Sequence, residues 1–350
     1  MSRDKPRNGA YPRLICAKEV GHVTKFVIRR LFYAILVVLF GSFVVYAVIR
    51  ALPSSYVETI ARQRAQLPGS KSYAEWLAQL NALFRLDTDV FTGYFGWLSD
   101  AVRGNFGDSW MYNMPVTQKF QNVIWYSVAL NIITFVLQTI IAIPLGITAA
   151  RKQYSRIDYT ITFIALMGIS LPTFFLATVL KYIFSMQLGW FDLYGIVGRF
   201  YEQLTPMGKI LDMAKHLVLP TVTLTMLSVG GLMRFTRTNM LEVLNSDYIR
   251  TARAKGLSEN KVIYKHAFRN TLIPLVSYMS YLIPGMFSGS MITETLYQIP
   301  GIGYIAFDAM KMGDIPFTMF YSVFIILLTQ VSLLLADIMY AVVDPRVRVN

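Results

Sequence analysis

Asn245–Pro274 reads NSDYIRTARAKGLSENKVIYKHAFRNTLIP, the one long polar run set between two strongly apolar blocks. Asn245, Ser246 and Asp247 are N-cap residue types in front of a short helix-compatible run, Tyr248–Lys255. Gly256 then supplies a residue that can turn left-handed and end a helix. Ser258 can cap again, and Lys261–Asn270 carries Val262, Ile263, His266 and Ala267 on one stripe. The spacing therefore predicts two helices meeting at Gly256, a capped elbow rather than a loose loop. Arg250-Thr251-Ala252-Arg253-Ala254-Lys255 sets small residues beside long basic ones. Small faces let a partner approach closely, and Arg or Lys anchors it by charge-assisted bonds. A solvated loop that only fixes topology would need the charge but neither caps nor hinge. The elbow has the form of a docking surface.

The rest of the chain says what the elbow is attached to. Of 350 residues, 55% are hydrophobic and only 15% charged, where soluble domains carry about a quarter, so composition indicates a membrane protein. The net charge of +13 could suggest nucleic acid, but the cations cluster beside apolar runs, where the positive-inside rule places them. No nucleic-acid-binding motif occurs. The single cysteine, Cys16, excludes an internal disulfide framework and a Cys-cluster metal site. It has no apolar stretch before it to mark a lipid-attachment signal. His22, His216 and His266 are scattered, which argues against a metal site built from histidines.

Taken in order, residues 1–25 form a basic tail, expected in the cytoplasm, followed by a first transmembrane helix within 26–52 whose apolar centre is Leu31–Ile49. A cleavable leader is the rival reading, and the length of that apolar run and the lack of a cleavage site speak against it. Residues 53–122 are expected outside the membrane with short helices at Ser72–Phe84 and Thr92–Val102, either packed at the interface or acting as a spacer. A core of five further spans is expected over 123–343: Trp125–Ala149, Asp158–Phe184, Leu217–Met233, Leu272–Ile292 and Phe317–Val343. The third span is interrupted by Ser170-Leu171-Pro172, a proline expected to lie within a packed helix. A separate interfacial helix is expected around Leu204–Ala214, and Gly230-Gly231 in the fourth span permits close helix contact. Thr293–Pro316 is expected to be a turn on the outside, and 344–350 a cytoplasmic tail. The fold class is thus all-α and polytopic, with six spans, both termini cytoplasmic and the elbow in a cytoplasmic loop over 234–270.

Chemistry is sparse. No Gly-x-x-x-x-Gly-Lys-[Ser/Thr] phosphate loop occurs, nor His-Glu-x-x-His, nor Gly-x-Ser-x-Gly, so no catalytic residue is assigned and a membrane-embedded hydrolase lacks its nucleophile and base. Asp337 in the last span is the best candidate for an ion relay, which would make the chain an ion-coupled secondary transporter. One acid is a thin relay, and pairing with a neighbouring polar group is the plainer expectation. Lys181 and Arg234 lie near span ends and can snorkel. Met286, Ser288 and Ser290 form a small, polar patch in the fifth span that could line a translocation path.

Several separated motifs resemble those of the membrane permeases of ATP-binding-cassette importers, in the dipeptide, oligopeptide and nickel branch. Asp247-Tyr248-Ile249-Arg250-Thr251-Ala252-Arg253-Ala254-Lys255-Gly256-Leu257-Ser258 is similar to that branch's cytoplasmic-loop motif, and His266-Ala267-Phe268-Arg269-Asn270 with Pro274 to its second half. Ser170-Leu171-Pro172-Thr173-Phe174, Leu188-Gly189-Trp190-Phe191, Glu294-Thr295 with Pro300-Gly301-Ile302-Gly303, and Asp337 with Tyr340 and Asp344-Pro345-Arg346 also resemble branch patterns. So does Gly104-Asn105-Phe106-Gly107-Asp108-Ser109. The likeness spans most of Ile28–Arg348, is weakest over Pro53–Asp89, and matches the first of the two permease types. It implies a permease bundle in a prokaryotic inner membrane that pairs with a second permease. It also implies that the elbow docks on one of two cytosolic ATPases, which hold ATP and Mg, while an extracytoplasmic binding protein delivers the solute. The chain itself would need no cofactor. Peptide, nickel and glutathione permeases of this branch look alike, and with no His or Cys cluster present the expected solute is a peptide, most simply an oligopeptide.

Overall fold

A computed structural model of the chain describes residues 17–51, 56–67, 71–83 and 86–343. Most of the N-terminal tail, Pro53 and the whole C-terminal tail with Asp344-Pro345-Arg346 lie outside the described residues, as does the side chain of Tyr340. The chain begins with α1 (Ala17–Ala51), in which the apolar part is Ile28–Ala51. On the far side of that span come α2 (Tyr56–Ala65), α3 (Tyr73–Leu83) and α4 (Val90–Val102), then a minimal hairpin of β1 (Asp108–Ser109) and β2 (Met114–Pro115). Ser72 and Glu75 start α3 with reciprocal side-chain-to-backbone bonds of 2.9 and 3.3 Å, and Asp89 caps α4 through Thr92 N–H. These helices are no spacer. Val57, Ala61, Leu80 and Trp110 bury together, and the Arg50 guanidinium at the end of α1 donates to the carbonyls of Leu86 and Thr88 at 2.6 and 2.8 Å.

The core follows as α5 (Val116–Arg151), α6 (Arg156–Ser170) and α7 (Thr173–Leu180) with a π-helical turn at Lys181–Gln187, then α8 (Pro206–Leu244) and α9 (Asp247–Ala254). A second π-helical segment, Lys261–Phe268, leads without a break into α10 (Arg269–Ser280), followed by α11 (Ile283–Ser288), α12 (Met291–Tyr297), α13 (Ile302–Met312) and α14 (Ile315–Val343). Five helices are long and apolar enough to cross a membrane, and the pair Arg156–Ser170 and Thr173–Gln187 makes a sixth crossing if taken as one bent span. α8 packs along α5 and α6, and α14 along α1 and α10. At the α6–α8 crossing a Cβ on Gly230 would run into the Ala165 carbonyl, so this glycine sets how closely the two helices approach.

Several expected boundaries move. The proline in the third span is not inside a helix: the chain turns by 101° there, with Leu171 extended and Pro172 at the N-cap of α7. The ring of a proline pushes the preceding residue out of the α region, so Leu171 makes a corner. The separate helix around Leu204–Ala214 is instead the start of α8, 39 residues long and capped by Thr205, whose Oγ1 accepts from Gly208 N–H. At 1.5 Å per residue α8 is roughly 58 Å long, about twice the hydrocarbon thickness, so it projects beyond the membrane. The second span starts at Val116 rather than Trp125, the fifth runs over Lys261–Ser288 rather than Leu272–Ile292, and the expected turn of Thr293–Pro316 contains most of α12 and all of α13.

Candidate functional site

The elbow is built from its inward face. Ile249 and Ala252 of α9 are buried against Ile147 and Ala150 at the end of α5, Met240 and Leu244 at the end of α8, and Val262, Ile263 and Ala267 beyond the bend. His266 lies at the edge of that stripe, half-buried. Asp247, Tyr248, Arg250, Thr251, Arg253, Ala254, Lys255, Gly256 and Ser258 are left exposed, and Leu257 is half-buried. Ala252, expected on the exposed face, is instead buried against the bundle, and Ala254 is the small residue left exposed.

The caps are unequal. At the C-terminal end Gly256 N–H bonds to the Arg253 carbonyl at 2.9 Å and Leu257 N–H to the Ala252 carbonyl at 3.4 Å, with Gly256 at φ +75°. This is a Schellman closure, and it requires glycine for its conformation, since a Cβ there would meet nothing within 4 Å. At the N-terminal end Ser246 occupies the cap position, yet its Oγ donates back to the Val243 carbonyl at 2.6 Å and finishes α8 instead. Asp247 stands in the first turn, where a carboxylate suits the helix dipole. Across the bend Arg253 reaches Glu259 at 2.9 Å, and its hydrogen bonds hold the Glu259 carboxyl below its ordinary range.

The elbow runs into one span, and two of the spans around it are tied to each other. Its second arm is no separate helix ending at Asn270: Lys261–Phe268 runs on as α10, making arm and fifth span one rod. Beside it Arg237 of α8 forms a bidentate pair with Asp158 of α6, both bonds 2.7 Å, with the Asp158 side chain 2% exposed. Asp158 also accepts from Tyr154 N–H, and its own N–H donates to Ser155 Oγ. Sequence reading missed this anchor, although Ser155-x-x-Asp158 is a recognisable helix-start signal. Asp337 pairs with Arg30 of α1 at 2.9 Å, the neighbouring-group expectation rather than the relay. Lys181 does not snorkel to water: Nζ donates to the Leu296 carbonyl at 2.7 Å and lies 3.9 Å from the Tyr194 ring centroid.

The opposite face holds two fully buried acids. Glu294 accepts from Ser127 Oγ at 2.7 Å, Ser290 N–H at 2.8 Å and Tyr304 N–H at 3.0 Å, while Ile302 N–H donates to the same Ser127 Oγ. The resemblance motifs at Glu294 and Pro300–Gly303 thus form one structure, in which the carboxylate gathers α5, α12 and α13. Asp314 caps α14 through Phe317 N–H and accepts from Ser109 Oγ and Met111 N–H, joining the hairpin to that span. Burial holds its carboxyl above the ordinary range in spite of those donors. The fifth-span patch sits nearby. Ser290 Oγ donates to Asn131 Oδ1 of α5 at 2.8 Å, the Ser288 carbonyl accepts from Tyr321 OH of α14, and Met286 is half-buried.

Residues 142–349 match the family described as binding-protein-dependent transport system inner membrane component. This chain belongs to that family. The matched region takes in the elbow and the spans that carry it. An oligopeptide transport system permease protein of Bacillus subtilis (strain 168), AppB, is 33% identical over 92% of this chain and 98% of its own length. The OppB protein of the oligopeptide transport system of Salmonella typhimurium is 32% identical over 93% and 99%. Among solved structures, the inward-facing MetNI methionine ABC transporter contains a chain that superposes with a TM-score of 0.51 at 15% identity, covering 65% of this chain and 97% of that one. The fold is that of an importer permease, and family membership makes the chain a multi-pass transport component rather than an enzyme. It works with ATPase and substrate-binding subunits and a second permease.

Proposed function

We propose that this chain is one half of the translocation pathway of an ATP-driven importer for peptides, most simply oligopeptides, in a prokaryotic inner membrane. It pairs as a heterodimer with a different permease subunit. α9 presents Tyr248, Arg250, Thr251, Arg253, Ala254 and Lys255 to the groove of one of two cytosolic ATPases, which supply the ATP and Mg. A binding protein delivers peptide to the opposite face, both chain termini stay cytoplasmic, and the path runs by Met286, Ser288 and Ser290. The observation that carries the reading is the elbow itself: an exposed basic face on a short helix whose other face is locked into the ends of two spans. A push on that face has no slack to be lost in. The solute rests on the names of the relatives.

The test is a reconstituted complex in which Asp247→Ala is combined with Arg253→Ala. Insertion is expected to stay intact while ATP hydrolysis no longer drives peptide uptake. Gly256→Pro is expected to do the same. Uptake at the parent rate in both would overturn the assignment of α9.

A further inference from the structure

A cavity of about 600 Å³ opens on the face opposite the elbow, between the end of α1, α4, the loop of residues 103–110 and the start of α14. It is separate from the elbow and from the serine patch of the fifth span. Tyr46, Trp97, Phe106 and Trp110 supply aromatic wall, and Asp100 and Asp108 also line it. Neither carboxylate has a hydrogen-bond or ion-pair partner among the described residues. The indole N–H of Trp97 is buried and lacks an acceptor. The walls are fixed: the Arg50 clasp holds the loop at Leu86 and Thr88, and Gly93 allows α4 to lie against Tyr46 and Arg50.

These features specify a ligand. Pockets of a few hundred cubic ångströms with aromatic walls and a few polar groups are the usual form of a small-molecule site. Aromatic faces attract cations, and a carboxylate binds an ammonium by charge-assisted bonds. We propose that this cavity binds a primary organic ammonium. Two sources have that chemistry, the free amino end of a short peptide and the head group of an ethanolamine lipid. The inference stands on the cavity alone and not on the transport reading, which uptake assays test separately.

The experiment uses the full chain in phosphatidylglycerol nanodiscs. In one arm trialanine is titrated by calorimetry beside N-acetyl-trialanine. In the other, phosphatidylethanolamine is added and the lipid retained is counted by native mass spectrometry. Saturable binding in either arm supports the site and identifies the source. Trialanine affinity is expected to fall at least about tenfold on N-acetylation, and either ligand at least about tenfold with Asp100→Asn plus Asp108→Asn. Gly96→Leu, where a Cβ meets nothing within 4 Å, fills the space from the wall and should weaken binding similarly without lowering the melting temperature. No binding in either arm, equal affinity for the acetylated peptide, or binding unchanged in the carboxamide variant would overturn the proposal. The acetylation comparison uses the parent chain, so it decides even where a variant folds poorly.

Discussion

The two faces of the bundle answer their acids differently. On the elbow face each of three acids meets an arginine: Asp158 with Arg237, Glu259 with Arg253, Asp337 with Arg30. On the opposite face the fully buried Glu294 and Asp314 meet no cation among the described residues; serine hydroxyls and backbone N–H groups at the starts of short helices and of α14 take that place. Helix N-termini carry partial positive charge, so backbone geometry there does what side chains do on the other face. The difference bears on motion. The Glu259 and Asp337 pairs, partly open to water, can swing with their elements, whereas a carboxylate held by several fixed donors, as Asp158 also is by Arg237 and the Tyr154 N–H, must lose all of them to move. The elbow face is built to be pushed, and the opposite face to hold its ring of helices together.

The comparison can be broken at several points. Glu294→Ala strips the acceptor from three donors and should destabilise the chain by roughly 3–5 kcal/mol, read as a large loss of folded protein in detergent melts. A parent-like melt would end the claim that this carboxylate holds α5, α12 and α13. Arg237→Ala leaves Asp158 buried alone and should cost about 3 kcal/mol, with Asp158→Ala in the same chain restoring part of it. Failure of that rescue would mean the elbow face does not depend on its ion pairs. Ile249→Ala should cost about 2–3 kcal/mol locally and lower uptake per ATP more than it lowers the melting temperature. Gly256→Ala should cost about 1 kcal/mol through its positive φ, visible as faster hydrogen exchange at the bend.

The smallest effect is set by pH. Glu259 is held below its ordinary carboxyl value of 4.5 by Arg253. Its contribution is therefore fully present above that value and is lost as pH falls through the depressed one. Exchange at the bend should rise only in that acidic window, and Glu259→Gln should abolish the rise.

Much of this was legible beforehand, for reasons that can be named. The spans showed because burial in lipid requires long apolar runs, and the bend at Gly256 because helix closure needs a left-handed residue. What was misread has both local and distant causes. Ser246 looked like a cap, yet its hydroxyl was taken by the preceding helix. Lys209, Asp212, Lys215 and His216 made the start of α8 look like a separate interfacial element, although helical hydrogen bonding is indifferent to hydropathy and Thr205-Pro206 already marked the true start. Asp158 and Arg237 are 79 positions apart, and no local pattern joins them. At Leu171-Pro172 a proline within a packed helix was expected, although the rule on residues before proline favours the corner that the structure has.

The π-helical stretch at Lys261–Phe268 sets the angular phase of everything after it. An α-helix advances about 100° per residue, and a π turn takes up an extra residue within one winding. Rewinding the segment as plain α-helix with every residue kept would turn the fifth span by about that angle relative to the elbow. Thr271, which donates to the Met240 sulfur, would leave α8, and Pro274 and the serines beyond it would change neighbours. Length is conserved to within one rise, while every contact is reassigned. The segment works as a key cut to one tooth: a permease one residue shorter at this point presents its fifth helix in the same phase by winding as plain α-helix.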